Sequence, residues 1–378
     1  MQPPRILFIP KVEEDRTSER TPTLLRLLRK RHEVIPLPFR WDRLIYDTAR
    51  AKSPRYALYA VDKVLAAFWG LRLARKTNIQ LTFCETPHHA LVGLWISRIL
   101  VVPCVWDSHG NAGAAARSLG KGRLYTFLVT SLDRFLGRRV DALITVSRTD
   151  AEAYEAMGVS PARLHVIPIS VNVEQVEREA SQEVSGGTAS PGTTTRRTLV
   201  FFGSFKYAPN LEALEFISGR LAPYLERERL TCQIVIAGRD LPRVEWHPWV
   251  KPVGFVENIH ALIRRADLCI VPIWTGVGML TKVVDMMATG TPMVMSSLAT
   301  MGIPEIQDGV HALVASSPSA FPELVAVALR DPEAMRRIAG NARKLVRERY
   351  DWRVQEPLLE DLLAGLAEEQ RESRPHGR

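Results

Sequence analysis

The residues best suited to chemistry lie in one stretch, Val271 to Val294, which reads VPIWTGVGMLTKVVDMMATGTPMV. A buried strand ends at Pro272, a loop carrying Gly276 and Gly278 follows, and a helix begins near Leu280. Glycines let backbone amides approach an anion closely, and a helix N-terminus adds partial positive charge. Lys282, in the first helical turn, supplies a full positive charge suited to a diphosphate. Asp285, three residues on, shares a helix face with it. Its carboxylate can accept hydrogen bonds from a ribose diol, as acidic residues do in dinucleotide folds. An ordinary strand–loop–helix whose Lys and Asp pair on the surface would show the same spacing.

Other polar residues follow strand-like runs. Trp106–Gly110 (WDSHG) places Asp107 and His109 at the end of one strand, and Glu85, Thr86, Pro87, His88 and His89 follow the preceding one. Adjacent histidines point in different directions on a helix, which argues against their forming a metal site. Lys206 follows Gly203 after a strand and is placed to reach a phosphate, and Arg239 follows Ala237-Gly238. Glu305 lies in the segment GIPEI, where it either approaches a ligand or caps the loop.

The elements that must position these residues alternate. Strands are predicted at Arg5–Pro10, Glu33–Pro38, Leu81–Glu85, Cys104–Ser108, Ala142–Ser147 and Leu164–Ile169. Helical spacing marks Thr21–Arg31, Arg55–Lys76 and Arg123–Arg138. Nearly continuous apolar strands separated by helices indicate a parallel sheet covered on both faces. From Ser181 to Thr195 the chain reads SQEVSGGTASPGTTT, a composition that predicts a flexible linker. Alternation restarts at Thr198 with TLVFFG, a helix from about Pro209, and CQIVIAG. Further strands are expected at Lys251–Phe255, Leu268–Ile273, Pro292–Ser296 and Ala312–Ala315, with helices at Asn258–Arg265 and Thr281–Thr289. Two helices within Asp331–Leu366, broken near Tyr350–Trp352, close the chain. The expected domains are residues 1–180 and 198–350, joined by linker 181–197. Residues 351–378 should form a helix returning to the first domain, with a disordered tail.

Composition narrows the class. The 378 residues suit two domains, and 46% hydrophobic with 24% charged residues is the balance of a soluble globular protein. The apolar stretches Leu58–Ala74 and Ala90–Trp106 are interrupted by Asp62, Lys63, Arg72, Arg98 and Pro103, so no membrane span is expected. The opening residues are too briefly apolar for a secretory signal, which predicts a cytoplasmic protein. Cys84, Cys104, Cys232 and Cys269 sit in or beside apolar runs with no CxxC pair, as buried reduced thiols do. Residues 1–175 hold 26 Lys and Arg against 16 Asp and Glu, whereas the remainder is nearly balanced. An anionic partner such as a phospholipid surface or lipid-linked phosphate would account for that excess, and so would a solvated basic surface.

The Val271–Val294 stretch resembles the donor-site signature of glycosyltransferase family 4, in which a Gly-rich loop leads into a helix with Lys and an acid, then Ala-x-Gly-x-Pro. Leu199–Leu214 (LVFFGSFKYAPNLEAL), Ile236–Gly238, Val253–Val256 with Asn258, and Gly302–Val310 (GIPEIQDGV) resemble further family segments in the same order. Val146-Ser147 through His165–Pro168 matches the end of the family's acceptor domain. The similarity spans roughly residues 80–365. It implies the GT-B fold, two Rossmann-like α/β domains with doubly wound parallel sheets facing a central cleft. It also implies metal-independent, retaining transfer from a nucleotide-sugar to a glycan or lipid-linked acceptor, as in cell-surface polysaccharide or glycoconjugate biosynthesis.

On this resemblance His109, Lys282 and Asp285 are the catalytic candidates. Gly203, Lys206, Arg239, Val256, Gly276, Gly278, Met279, Thr281 and Glu305 would line the donor, and Glu85, His88 and Asp107 the acceptor side. Lys282 would neutralise the diphosphate leaving group, Asp285 would hold the ribose, and His109 would contact the sugar. No cofactor or metal is expected. Peripheral contact with an anionic membrane through the helical basic segments Arg26–Arg31 and Arg72–Lys76 would suit a lipid-linked acceptor.

Several positions depart from the family pattern. Asp285 stands where Glu is usual, Val277 where many members carry a first acid, and Ser204 where Arg is frequent. The loop KVEEDRTSER after Pro10 has no Gly-Gly turn. These departures keep open a catalytically degenerate GT-B protein acting as a partner or binding subunit. Val277 argues against a nucleotide-sugar epimerase on this fold, and no cofactor lysine signature supports a phosphorylase. Basic residues are not interleaved with aromatics as in a nucleic-acid module, so no nucleic acid is expected.

Overall fold

The computed structural model describes residues 4–10, 20–37, 54–182, 196–276 and 279–373, with the backbone alone for 54–60, 62 and 373. The chain divides into two compact units, Met1–Pro168 with Glu356–Arg378, and Ile169–Gln355.

In chain order the first unit contains β1 (Arg5–Ile9), α1 (Arg20–Arg31), β2 (Glu33–Pro36), α2 (Pro54–Thr77), β3 (Leu81–Glu85), α3 (Pro87–Leu100), β4 (Cys104–Ser108), α4 (Ala112–Ser118), α5 (Arg123–Gly137), β5 (Ala142–Thr145), α6 (Arg148–Ala156) and β6 (Leu164–Val166). The six strands form one parallel sheet in the order β2-β1-β3-β4-β5-β6. β3 and β4 are buried at every residue, as expected of strands covered on both faces. Phe8 and Phe83 stack with ring centroids 5.5 Å apart, and Trp106 meets Tyr154 edge-on at 5.5 Å.

The second unit contains α7 (Val173–Ala180), β7 (Arg197–Phe202), α8 (Ala208–Phe216), α9 (Ala222–Arg227), β8 (Cys232–Ala237), β9 (Val250–Gly254), α10 (Ile259–Arg265), β10 (Leu268–Val271), α11 (Thr281–Thr289), β11 (Met293–Ser296), α12 (Ser297–Thr300), β12 (Leu313–Ala315), α13 (Phe321–Arg330) and α14 (Pro332–Arg349). One π-helical turn, Ile217–Leu221, joins α8 to α9. The sheet order is β12-β11-β10-β7-β8-β9, again all parallel. By position this is the Rossmann order, with its topological switch point between β7 and β10. In the first sheet the order reverses between β1 and β3. Ligands of open parallel sheets bind outside the carboxyl ends of strands at these points, so the loops after β3, β7 and β10 are where function belongs.

The boundary between units lies after Pro168 rather than at residue 180. The reason is packing: α7 lies against α10 and α11 of the second unit, and Arg343 donates to its Glu177 at 2.7 Å. The last helix, α15 (Trp352–Ser373), straddles the other boundary at Gln355. Its later part joins the first unit, where Lys30 pairs with Glu356 at 2.9 Å and His32 with Glu360 at 3.0 Å. The loop after Pro10, most of the Ser/Thr/Gly-rich linker and the last five residues lie outside the described residues. All four cysteines are free and buried. Among the described residues, no helix is long and apolar enough to cross a membrane.

Candidate functional site

Each unit gathers a polar constellation at the carboxyl ends of its strands. In the first unit Glu85 ends β3 and Asp107 lies one residue from the end of β4, and the two are partners across the ladder. Both are fully buried, because interior strands turn these side chains toward protein. Two buried carboxylates side by side demand compensation, and the start of α1 supplies it. Arg20 closes a fork on Asp107, with contacts of 2.8 Å and 2.5 Å. Thr21 places its hydroxyl 2.8 Å from each oxygen of Glu85.

His109 completes the group. Its Nε2 lies 3.1 Å from Asp107 and 3.5 Å from Glu85. Burial alone would lower its pKa, but hydrogen bonds and charge from Asp107 and Glu85 outweigh that and raise it. For Asp107, burial would raise the carboxyl, yet Arg20, joined by His109, holds it well below the usual carboxylate range. Glu85, Asp107 and His109 each offer a ligand atom within 4.8 Å of the others. The donor set nevertheless suits an ion-pair network, because the Arg20 fork and the Thr21 hydroxyl already engage the carboxylates. Glu85 and Asp107 are thus buried supports of His109 rather than exposed walls. His88 is exposed on α3, whereas His89 is buried with its Nε2 3.0 Å from Lys63.

In the second unit Lys282 enters from the first turn of α11. Its ammonium donates to the Asn210 amide oxygen at 2.7 Å and lies 4.4 Å from the Phe201 ring centroid. Asn210 is itself fixed, its amide nitrogen donating to the Ser204 carbonyl at 2.8 Å. Burial lowers Lys282 to about 7. The surrounding backbone is held close by glycines. A Cβ on Gly203 would stand 2.6 Å from Asn210 and 3.1 Å from the Lys282 nitrogen, and one on Gly238 would strike the Gly203 carbonyl at 1.8 Å. Gly276 adopts φ +110°, with the Tyr207 hydroxyl 2.6 Å from where a Cβ would be. Met279 packs on Gly302, whose Cβ position is 2.4 Å from the Met279 Cα. These contacts set Gly203 beside Lys282 at the switch point and Gly276 against Tyr207, while Met279 joins the GIPEI segment to the start of α11.

Asp285, one turn along α11, faces elsewhere. It is 2% exposed and contacts His260 Nε2 at 3.3 Å. The other ring nitrogen of His260 meets Glu179 at 2.6 Å. Burial would lower this imidazole, but Asp285 and Glu179 together raise it to about 9. Asn258 caps α10 and donates to the Glu179 carbonyl at 2.9 Å, fastening α7 in place.

The remaining candidates are dispersed. Lys206 is exposed and pairs with Asp240 at 3.5 Å, and Arg239 lies over the Phe255 ring at 4.5 Å. Val256 and Thr281 are half-buried. Glu305 accepts a 2.5 Å hydrogen bond from Tyr350, which ties the GIPEI loop to the end of α14. Val277 and Gly278 lie outside the described residues. Arg20, Thr21, Asn210, Glu179 and His260 are the additions of the structure. Asn210 alone had a sequence signal, within the Pro-Asn helix start.

Residues 21–175 match a family model described as Glycosyltransferase Family 4, and residues 196–331 one described as Glycosyl transferases group 1. Compared with curated proteins, the chain finds no match. Among solved structures it is similar to the Anabaena protein HepE in complex with UDP-glucose, at TM-score 0.69 and 15% identity over 96% of this chain and 99% of that one. A sucrose-phosphate synthase from Thermosynechococcus elongatus superposes at TM-score 0.71 and 14% identity, over 96% and 99%. A UDP-forming trehalose-phosphate synthase from Burkholderia xenovorans does so at 0.68 and 13%, over 96% and 98%. At these identities the likeness establishes the GT-B fold.

Proposed function

This chain belongs to the group 1, family 4 glycosyltransferases, and from that premise we propose that it moves a sugar from a nucleotide-sugar, with retention and without a metal, onto a glycan or lipid-linked acceptor. The observation that carries the reading is Lys282, a buried amine at a helix start beside Gly203, with no carboxylate opposite it among the described residues. A buried cation-forming group without a counter-charge awaits an anion. A nucleoside diphosphate supplies one, and HepE, crystallised with UDP-glucose, is similar in fold.

In this reading the bond from the anomeric carbon to the diphosphate breaks and one to the acceptor hydroxyl forms. The hydroxyl proton passes to the departing phosphate, so no separate base is needed. Lys282 takes up a proton from solvent when the diphosphate binds, and its charge then meets the negative charge developing on the leaving oxygen, which stabilises the transition state more than the ground state. His109 of the first unit is the residue we assign a hydrogen bond to a sugar hydroxyl. Polysaccharide or glycoconjugate assembly in the cytoplasm, against the inner face of the membrane, is the proposed setting.

A second reading, a nucleotide-binding subunit without turnover, is favoured by one observation: the Asp285 carboxylate is already taken by His260. Thermal-shift measurements with UDP-, GDP-, dTDP- and ADP-sugars, with and without EDTA, followed by transfer assays, test both. Stabilisation by one base, indifferent to EDTA, with slow hydrolysis or transfer of the sugar supports the enzyme. Binding without turnover supports the subunit, and no shift with any nucleotide-sugar removes both.

A further inference from the structure

Soluble helices normally turn apolar residues inward, and α5 does the reverse. Its inward side carries Asp133 and Gly137, both buried, beside Leu136. At 3.6 residues per turn Leu124, Phe127, Leu128 and Phe135 share the opposite stripe, with exposures of 72%, 67%, 57% and 42%. The pattern repeats on neighbouring helices. On α2, Val64, Leu65, Phe68 and Trp69 are exposed, and on α3, Leu91, Trp95 and Ile99. α3 packs against both α2 and α5, and Phe68 meets Trp95 edge-on at 5.7 Å. Apolar exposure shared by three packed helices marks an interaction surface.

Charge identifies what the surface meets. From Pro87 to Val140 the only acidic residues are Asp107 and Asp133, both fully buried. Over the same span Arg98, Arg117, Lys121, Arg123, Arg134, Arg138 and Arg139 are all exposed. A second copy would bring the same positive charge to the contact and be repelled. A bilayer with anionic headgroups attracts it, at about fivefold in affinity per Lys or Arg near the surface. Trp and Tyr settle at the level of such headgroups, and long basic side chains reach past apolar ones to the phosphates. Helices with exposed apolar stripes and basic flanks lie in this interface rather than across it.

We propose that the outward faces of α2, α3 and α5 bind the headgroup region of an anionic lipid bilayer. The inference rests on the transferase reading only for its purpose, delivery to a lipid-linked acceptor. It also moves the contact away from α1, where Lys30 is paired with Glu356. The test is flotation of the full chain with vesicles of phosphatidylcholine, alone or mixed with phosphatidylglycerol. The protein should float with the mixed vesicles only, and less as salt rises. Phe127→Ser with Leu128→Ser should weaken binding by about tenfold or more, with circular dichroism and melting showing an intact fold. If that pair fails to fold, Lys121→Gln with Arg123→Gln decides in its place, at about fivefold per charge. Absence of flotation, equal flotation on neutral vesicles, or no loss in the folded variant overturns the proposal. So does a dimer in sedimentation velocity that Phe127→Ser with Leu128→Ser disperses when flotation is absent. Failure of every nucleotide-sugar to bind would sink the transferase reading and leave the flotation result standing.

Discussion

The guanidinium of Arg20 is closed on the carboxylate of Asp107 where neither meets solvent, 5% and 0% exposed. The pair joins the first residue of α1 to an interior strand, 87 positions apart. Removing one partner of such a pair leaves an uncompensated charge, which costs about 3–5 kcal/mol. Arg20→Ala should therefore destabilise the protein by that amount in urea, and adding Asp107→Asn should recover part of the loss, giving a nonzero coupling energy. The folded Asp107 pKa is depressed, so its contribution is present above the unfolded value near ~4 and fades as pH falls through the folded one. An Arg20→Ala protein as stable as the parent at neutral pH would show the pair to be idle.

His109 should behave oppositely with pH. Its folded pKa is raised, so the stability it adds is fully present below the unfolded value of about 6.5 and is lost as pH rises through the folded one. The stability gap between parent and His109→Gln should be widest in that acid range and narrow above it. Turnover should also fall, by about 10- to 100-fold for one charged hydrogen bond. A constant gap across pH would mean that His109 is neutral, and unchanged turnover would take it out of the reaction.

Lys282 makes the folded protein bear a cost. With its pKa lowered to about 7, the unfolded chain binds more protons between about 7 and 10, so stability rises with pH across that range. Lys282→Met, which keeps the volume and drops the charge, should raise the melting temperature of the ligand-free protein at pH 7 and less so toward pH 10. The same change should abolish nucleotide-sugar binding, a trade of function against stability. Calorimetry at pH 8 in buffers of different ionisation enthalpy should show proton uptake on binding to the parent. A variant that binds as the parent does would remove Lys282 from the donor site.

What could be read beforehand follows from which signals are local. The spans of β3, β4 and α11 coincide with those expected from sequence, because strands buried on both faces are short apolar runs with sharp polar ends. Asn258 likewise marked a helix start by its own chemistry. The pairings were not legible. Nothing in the basic spacing of α1 tells that Arg20 faces Asp107, nor that His260 is held between Glu179 and Asp285. Such contacts depend on the order of strands in the sheet, and a charged residue reads alike whether solvated or paired. The outward apolar stripe of α5 shows the same limit, since periodicity finds an amphipathic helix without saying which face is inside.

His260 offers the sharpest test of the second unit, because two carboxylates hold it from opposite sides. Its folded pKa of about 9 lies well above the ordinary value. The stabilisation is complete below about pH 6.5 and is lost as pH rises through 9, on the order of 3 kcal/mol in all. His260→Gln should therefore be clearly less stable than the parent at pH 6 and nearly equal to it at pH 10, as urea titrations would read. If Asp285 holds a ribose, His260 also acts as its positioning residue, and His260→Gln should weaken nucleotide-sugar binding at pH 7 while leaving Lys282-dependent proton uptake intact. A ring signal that titrates near 6.5 in nuclear magnetic resonance would mean that the two carboxylates do not hold the proton. Unchanged donor affinity in the folded variant would leave His260 as a fastening between α7 and α11 alone.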